Sequence, residues 1–206
     1  MKIISNVLSV LFHPLLMVFY AVLIVLYPFE YGVLNNVQMQ WILIGLIFLF
    51  SFIMPVLFIL IMRMFRIVTS ITVDKKEERI YPYAFTSVFY LFIWYMFSSL
   101  KIFEGVPAKA FLFGSIAIFL VLLVNFKLKI SAHTLAMTAI CGLVLRLVYH
   151  YNELHQLLLL LLCIFLSGLV ASARLYLKAH TWNEVTLAAV LGFFLGLLGP
   201  VFLKMV

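Results

Sequence analysis

The chain is short of charge. Only 10% of its 206 residues are Asp, Glu, Lys or Arg, and 67% are hydrophobic. A soluble domain carries about a quarter charged and about half apolar residues, so water is not the main solvent here. The net charge of +7 does not point to nucleic acid, because the basic residues are scattered over short loops and no soluble basic domain presents them. Anionic lipid head groups or a phosphorylated lipid are the partners this distribution suits.

Cysteine is scarce too. Cys141 and Cys163 fall inside apolar runs without metal-ligand spacing, and they read as packing residues. The alternation of apolar and polar residues that a membrane barrel requires is missing, since stretches such as Leu157 to Leu162 are apolar on every side. Internal repeats, low-complexity tracts and long linkers are absent, and the widest polar stretch runs only from Arg63 to Pro82. One integral membrane domain, residues 1–206, is the economical reading.

What the chain has in place of charge is long uncharged runs. A helix needs about 20 apolar residues to cross a hydrocarbon core of about 30 Å. Seven runs qualify, near residues 5–28, 40–62, 83–101, 108–128, 134–150, 155–173 and 183–203, which predicts an all-α, polytopic transmembrane bundle of six or seven spans. The first run follows a single charge, Lys2, and passes His13 and Pro14 to the Tyr27-Pro28 break without a small-residue cleavage site. It reads as a retained anchor and not a signal peptide. His13, ahead of Pro14, reads as a group that satisfies a carbonyl at a helix break.

Against this background ionisable residues near membrane depth are expensive and therefore informative. Three groups gather: Asp74, Lys75, Lys76, Glu77, Glu78 and Arg79, followed by Pro82; Lys129, Ser131 and His133; and Arg174, Lys178, His180 and Glu184. Two predicted spans separate the first from the second, and two the second from the third. An even number of crossings returns the chain to the same surface, so all three groups are expected there. Lys101, Glu104, Lys109, Arg146, His150, Glu153 and His155 belong to the opposite surface, solvated or snorkelling to head groups. Taken alone, the run from Asp74 to Arg79 reads as a solvated loop of mutually paired charges.

Two histidines, several cations, a serine and a carboxylate on one surface form the inventory of a phosphoryl-transfer site. That chemistry needs cations for the equatorial oxygens, a nucleophile for the phosphoryl group and an acid for the departing oxygen. A metalloprotease reading, with Glu77 and Glu78 near His133 and His180 as ligands, fits worse, because such ligands sit within a helix at i, i+4 spacing.

The second and third groups resemble the type 2 phosphatidic acid phosphatase superfamily, whose motifs read roughly K-x6-R-P, P-S-G-H and S-R-x5-H-x3-D. Arg174, His180 and Glu184 keep the third spacing, and the apolar run containing Gly192 and Gly196 follows directly. Glu184 replaces the aspartate and Ala173 the serine, with Ser172 one residue earlier. Ser131-Ala132-His133 keeps part of the second motif, with Ile130 for proline and Ala132 for glycine. In the first, no lysine stands seven residues before Arg79, and the proline comes three residues after it. The His13-Pro14 pair and the stretch Lys76-Glu77-Glu78-Arg79-x-x-Pro82 are similar to a divergent branch of these proteins from Bacteroidetes bacteria.

The resemblance spans Asp74 to about Gly196 and implies a metal-independent, cofactor-free membrane lipid phosphatase. It makes His180 the nucleophile that forms a phosphohistidine, Glu184 the carboxylate that orients its ring, and His133 the acid that protonates the leaving group. Lys75 or Lys76, Arg79, Ser131 and Arg174 would hold the phosphate oxygens. A phosphate monoester or diphosphate of the undecaprenyl diphosphate, phosphatidylglycerophosphate or lipid A type is the implied substrate. A noncatalytic lipid-phosphate binding or transport protein on the same fold is the rival, favoured by the departures in all three motifs. The Gly192-x-x-x-Gly196 pair suits close helix packing, within one chain or in a homodimer.

The implied setting is a bacterial cytoplasmic (inner) membrane with the site on the periplasmic or outer face. The site-side loops and N-terminus carry 10 Lys and Arg against 4 opposite, or 6 against 4 without Lys75, Lys76, Arg79 and Arg174. The residual positive bias is too small to overrule the outward face that the resemblance implies.

Overall fold

The computed structural model describes residues 2–26, 37–70, 73, 75–99 and 105–202, and all regular structure among them is helical. Tyr27-Pro28, Asp74, Lys101 and Glu104 lie outside the described residues. The helices are α1 (Lys2–Leu11), α2 (Leu16–Leu26), α3 (Val37–Phe48), α4 (Met54–Met64), α5 (Ile80–Ser99), α6 (Val106–Lys127), α7 (Ala132–Tyr151), α8 (Leu154–Tyr176) and α9 (Trp182–Phe202). A π-helical segment, Leu49–Ile53, fuses α3 to α4, and a 3-10 turn, Glu77–Arg79, leads into α5.

Among the described residues six helical segments are long and apolar enough to cross a bilayer: Gln38–Met64, Glu77–Ser99, Val106–Lys127, Ala132–Tyr151, Leu154–Tyr176 and Trp182–Phe202. They coincide with the last six expected spans, with ends shifted by a few residues. The first expected span is broken between α1 and α2, and the pair makes a seventh span only if taken together. Pro14 causes the break. It has no N–H for the carbonyl four residues back and disfavours helical geometry at the residue before it. His13 N accordingly turns back to Val10 O at 3.3 Å, and Leu16 N starts again on His13 O at 2.8 Å.

The described contacts fall into two compact units, Met1–Met17 with Leu128–Val206, and Val18–Lys127. In the first, α7 packs on both α8 and α9, and α1 packs on α8. The α7–α9 seam brings backbone against backbone. A Cβ on Gly196 would overlap the Ala139 carbonyl, one on Gly192 the Leu135 carbonyl, and one on Gly142 the Phe193 carbonyl. The close approach expected of Gly192 and Gly196 is thus spent within the chain, as dispersion between lipid-embedded helices requires. Cys141 and Cys163 are buried and free, and Cys141 Sγ lies 3.1 Å from Ser167 Oγ, as suits packing residues.

Helix α1 is amphipathic in the sense proper to a lipid solvent. Ile3, Ile4 and Val10 on its outside are 79%, 63% and 67% exposed, whereas Ser5 is buried. Helix α8 does the same: Leu158, Leu161, Leu162 and Phe165 face outward, and Cys163, Ser167 and Val170 face in.

In the second unit α5 packs on α6 through reciprocal serine contacts. Ser115 Oγ donates to Ser87 O at 2.8 Å and Ser87 Oγ to Ser115 O at 3.2 Å. Tyr90, fully buried in α5, donates its hydroxyl to Ser51 O in the π-helical segment at 2.6 Å.

Candidate active site

In the first unit the polar residues of the second and third sequence groups are gathered at one end. The reason lies in the topology: α7 begins, α8 ends and α9 begins there. Lys129 Nζ donates to Ala179 O at 3.0 Å, which ties the segment before α7 to the turn after α8.

His180 closes that turn. It is 7% exposed, and its Nδ1 lies 2.7 Å from Glu184 Oε2. The helix start itself builds this contact. Thr181 precedes α9 and its carbonyl accepts from Val185 N, so it is the N-cap residue. Its Oγ1 accepts from Glu184 N at 3.4 Å, while Glu184 Oε2 accepts from Thr181 N at 3.3 Å. This reciprocal pair is a capping box, and the same carboxylate oxygen that closes it also takes the histidine. The extra methylene of glutamate over aspartate therefore does not lengthen the contact. Thr181-x-x-Glu184 is legible in the sequence as a capping signature, and it predicts where the carboxylate points. With the ionised carboxylate accepting, Nδ1 carries the proton and Nε2 is left as the basic nitrogen.

Ser131 is the N-cap of α7 and fully buried. Its Oγ accepts from Thr134 N at 3.4 Å and from Thr134 Oγ1 at 2.9 Å. His133 stands two positions into the helix, where orphan backbone N–H groups and the helix dipole favour an anion. Arg174 lies in the last turn of α8.

Two residues that the sequence reading did not place in the site join them. Ser9 of α1 accepts from Arg174 Nη1 on its hydroxyl at 3.2 Å, and its carbonyl lies 3.1 Å from His133 Nε2. His13, in the break after α1, sets its ring edge-on to that of His133 with centroids 5.4 Å apart. His13 Nδ1 accepts from Leu15 N at 3.3 Å, which ties the ring to the backbone just past the break. The signal that could have found Ser9 is its i, i+4 spacing from Ser5, which places two polar groups along one face of α1, with His13 a further four residues on at the break.

The first sequence group lies in the second unit and forms a tight turn of its own. Arg79, 7% exposed, donates from Nε to Val73 O at 2.8 Å. Lys76 Nζ donates to Phe126 O at 3.1 Å, and Asn125 Nδ2 to Lys76 O at 3.0 Å. Glu78 accepts from Thr69 N at 2.7 Å and pairs with Lys75 at 3.4 Å. Among the described residues no three His, Cys, Asp or Glu side chains are grouped as metal ligands would be.

The fold is that of a multi-pass helical membrane protein. Residues 123–205, less than half of the chain, match the model of the PAP2 superfamily, a phosphatase family, so the resemblance read from the second and third groups holds over the segment that contains Ser131, His133, Arg174, His180 and Glu184. No curated protein and no solved structure matches the chain.

Proposed function

We propose that the protein is a membrane lipid phosphatase that cleaves a phosphate monoester or diphosphate through a phosphohistidine. The observation that carries this reading is the 2.7 Å contact between His180 Nδ1 and Glu184 Oε2, the arrangement that puts the ring proton on Nδ1 and makes Nε2 the nucleophilic nitrogen. Nε2 bonds to phosphorus while the bond from phosphorus to the lipid oxygen breaks, and His133 gives that oxygen its proton. Water then attacks phosphorus as His133 takes a proton back, and the nitrogen–phosphorus bond breaks to release phosphate.

Arg174 and the N-terminus of α7, capped by Ser131, supply positive potential to the transferring oxygens. For Lys75, Lys76 and Arg79 the resemblance alone carries a phosphate-binding role. The lipid tail stays among the apolar helices while the head group meets the polar end. The undecaprenyl diphosphate, phosphatidylglycerophosphate and lipid A types all suit this division, in a bacterial inner membrane with the site outward. No metal takes part in the proposed steps.

The test is phosphate release by the purified chain in detergent from a panel of lipid phosphates without added metal, beside His180→Ala and His133→Ala. Release that both substitutions abolish supports the reading. Binding of a lipid phosphate with no release from any of them favours the noncatalytic binding or transport protein, to which Ile130, Ala132 and Ala173 already lend support.

A further inference from the structure

Helix α1 ends at Leu11 because of Pro14, and the break changes what its last carbonyls meet. In an unbroken helix His13 N–H would bond to Ser9 O, four residues back. Here His13 N goes to Val10 O instead, and Ser9 O meets the ring of His133 at 3.1 Å. A carbonyl only accepts, so His133 Nε2 carries the proton in this contact and Nδ1 is the basic nitrogen. The Ser9 hydroxyl also has both its roles defined: its hydrogen is donated to Ser5 O at 2.9 Å in the preceding turn, while its lone pair accepts from Arg174 Nη1 at 3.2 Å. One residue therefore holds the two groups, an imidazole from α7 and a guanidinium from α8, that the reaction needs side by side.

The electrostatics agree. The carbonyl end of a helix carries partial negative charge and favours cations, and α1 directs that end at an arginine and at a histidine that becomes a cation when it takes up a proton. The polar residues Ser5 and Ser9 are, with Leu8, the residues of α1 turned away from the outside, and a polar face there has no purpose in packing against lipid.

We infer that the broken end of α1 is a positioning element of the site: Ser9 fixes the tautomer and orientation of His133 through its carbonyl and the place of Arg174 through its hydroxyl, and the break at His13-Pro14 is what frees that carbonyl. This rests on the phosphatase reading for its consequence in catalysis but not for its geometry. With Nε2–H anchored, Nδ1 is the nitrogen that exchanges the proton with the leaving oxygen, and the Ser9 carbonyl stabilises the imidazolium that is present before the first step and restored by the second. Ser9 does not touch the reacting atoms. It acts through His133 and Arg174, as the groups behind metal-bound or catalytic histidines do.

Pro14→Ala separates this from simple packing. It restores an N–H at position 14 for Val10 O and so returns His13 N–H to Ser9 O, in competition with His133. The first readout is the imidazole 15N shifts of the full chain in detergent micelles with labelled histidine, His133 being assigned by its loss in His133→Gln. The wild type is expected to show the neutral His133 as the Nε2–H tautomer and Pro14→Ala a mixture of both. An unchanged tautomer overturns the inference whether or not the protein is an enzyme.

The second readout is phosphate release. Pro14→Ala is expected to lower kcat about tenfold or more, and Ser9→Ala to raise KM about tenfold with less effect on kcat, Ser9→Thr restoring the wild-type KM. If the tautomer shifts but both kinetic constants stay unchanged while His133→Ala abolishes release, the positioning role is overturned. If the wild type itself releases no phosphate, the phosphatase reading fails and the tautomer measurement still decides the geometry.

Discussion

Glu184 Oε2 accepts from both His180 Nδ1, at 2.7 Å, and the backbone N–H of Thr181, at 3.3 Å. One carboxylate oxygen thus joins the start of α9 to the imidazole that the proposed reaction uses. The charge of that oxygen matters more than its position, because an amide in its place can present either a donor or an acceptor to the ring. Glu184→Gln is expected to lower kcat for phosphate release about 100-fold or more with KM little changed, as loss of the orienting carboxylate does in catalytic triads. Glu184→Asp should lose less, since it keeps the charge. Equal turnover by Glu184→Gln and the wild type would remove the carboxylate from the mechanism.

The α7–α9 seam allows a sharp contrast between glycines. A Cβ at Gly196 would overlap the Ala139 backbone, which cannot swing aside, whereas nothing lies within 4 Å of one at Gly168. Gly196→Ala is expected to destabilise the protein by about 1–3 kcal/mol or more through overpacking, and Gly168→Ala to leave it unchanged or slightly more stable through better helix propensity. Thermal unfolding in detergent compares them directly. Matching midpoints for the two variants would mean that the seam is looser than described.

How much of this was legible in the sequence divides along a physical line. The spans were legible because lipid offers no partner to backbone groups, so a run of about 20 uncharged residues has few alternatives to a helix. Arg174, His180 and Glu184 were legible because their spacing straddles a helix end and a helix start, and local geometry alone brings the ring to the carboxylate. Ser9 was not legible as a site residue. A serine in an apolar run looks the same whether it bonds its own helix or a distant arginine, and only the packing of α1 on α8 separates the two. The π-helical segment was equally hidden, because Pro55 announces a fault in the helix but not that Tyr90 repairs it.

Within the turn before α5 the cations differ in what they hold. Arg79 is 7% exposed and donates to Val73 O at 2.8 Å, while the Lys75 side chain is 64% exposed and only pairs with Glu78. A buried charged hydrogen bond contributes about 1.5–3 kcal/mol, and a surface pair about 0–1 kcal/mol. Arg79→Ala is therefore expected to lower the unfolding midpoint clearly and Lys75→Ala hardly at all. Should Arg79→Ala unfold like the wild type, Arg79 does not organise the turn, and any loss of phosphate release in that variant would belong to ligand binding alone.

Pro55 and Tyr90 form the second place where a proline is matched by a distant side chain. In α-helical register the donor to Ser51 O is the N–H of residue 55, which proline lacks. Tyr90 Oη donates to that carbonyl at 2.6 Å from a fully buried position. In a bilayer no water replaces it, so Tyr90→Phe leaves a buried acceptor unsatisfied, a loss of about 1–3 kcal/mol. Pro55→Ala supplies an N–H within the same helix. The loss caused by Tyr90→Phe is therefore expected to shrink by more than half in the Pro55→Ala background, a coupling that a double-mutant cycle of unfolding midpoints in detergent measures. Equal losses in the two backgrounds would show that the tyrosine stabilises the unit by packing its ring and not by completing the helix of Pro55.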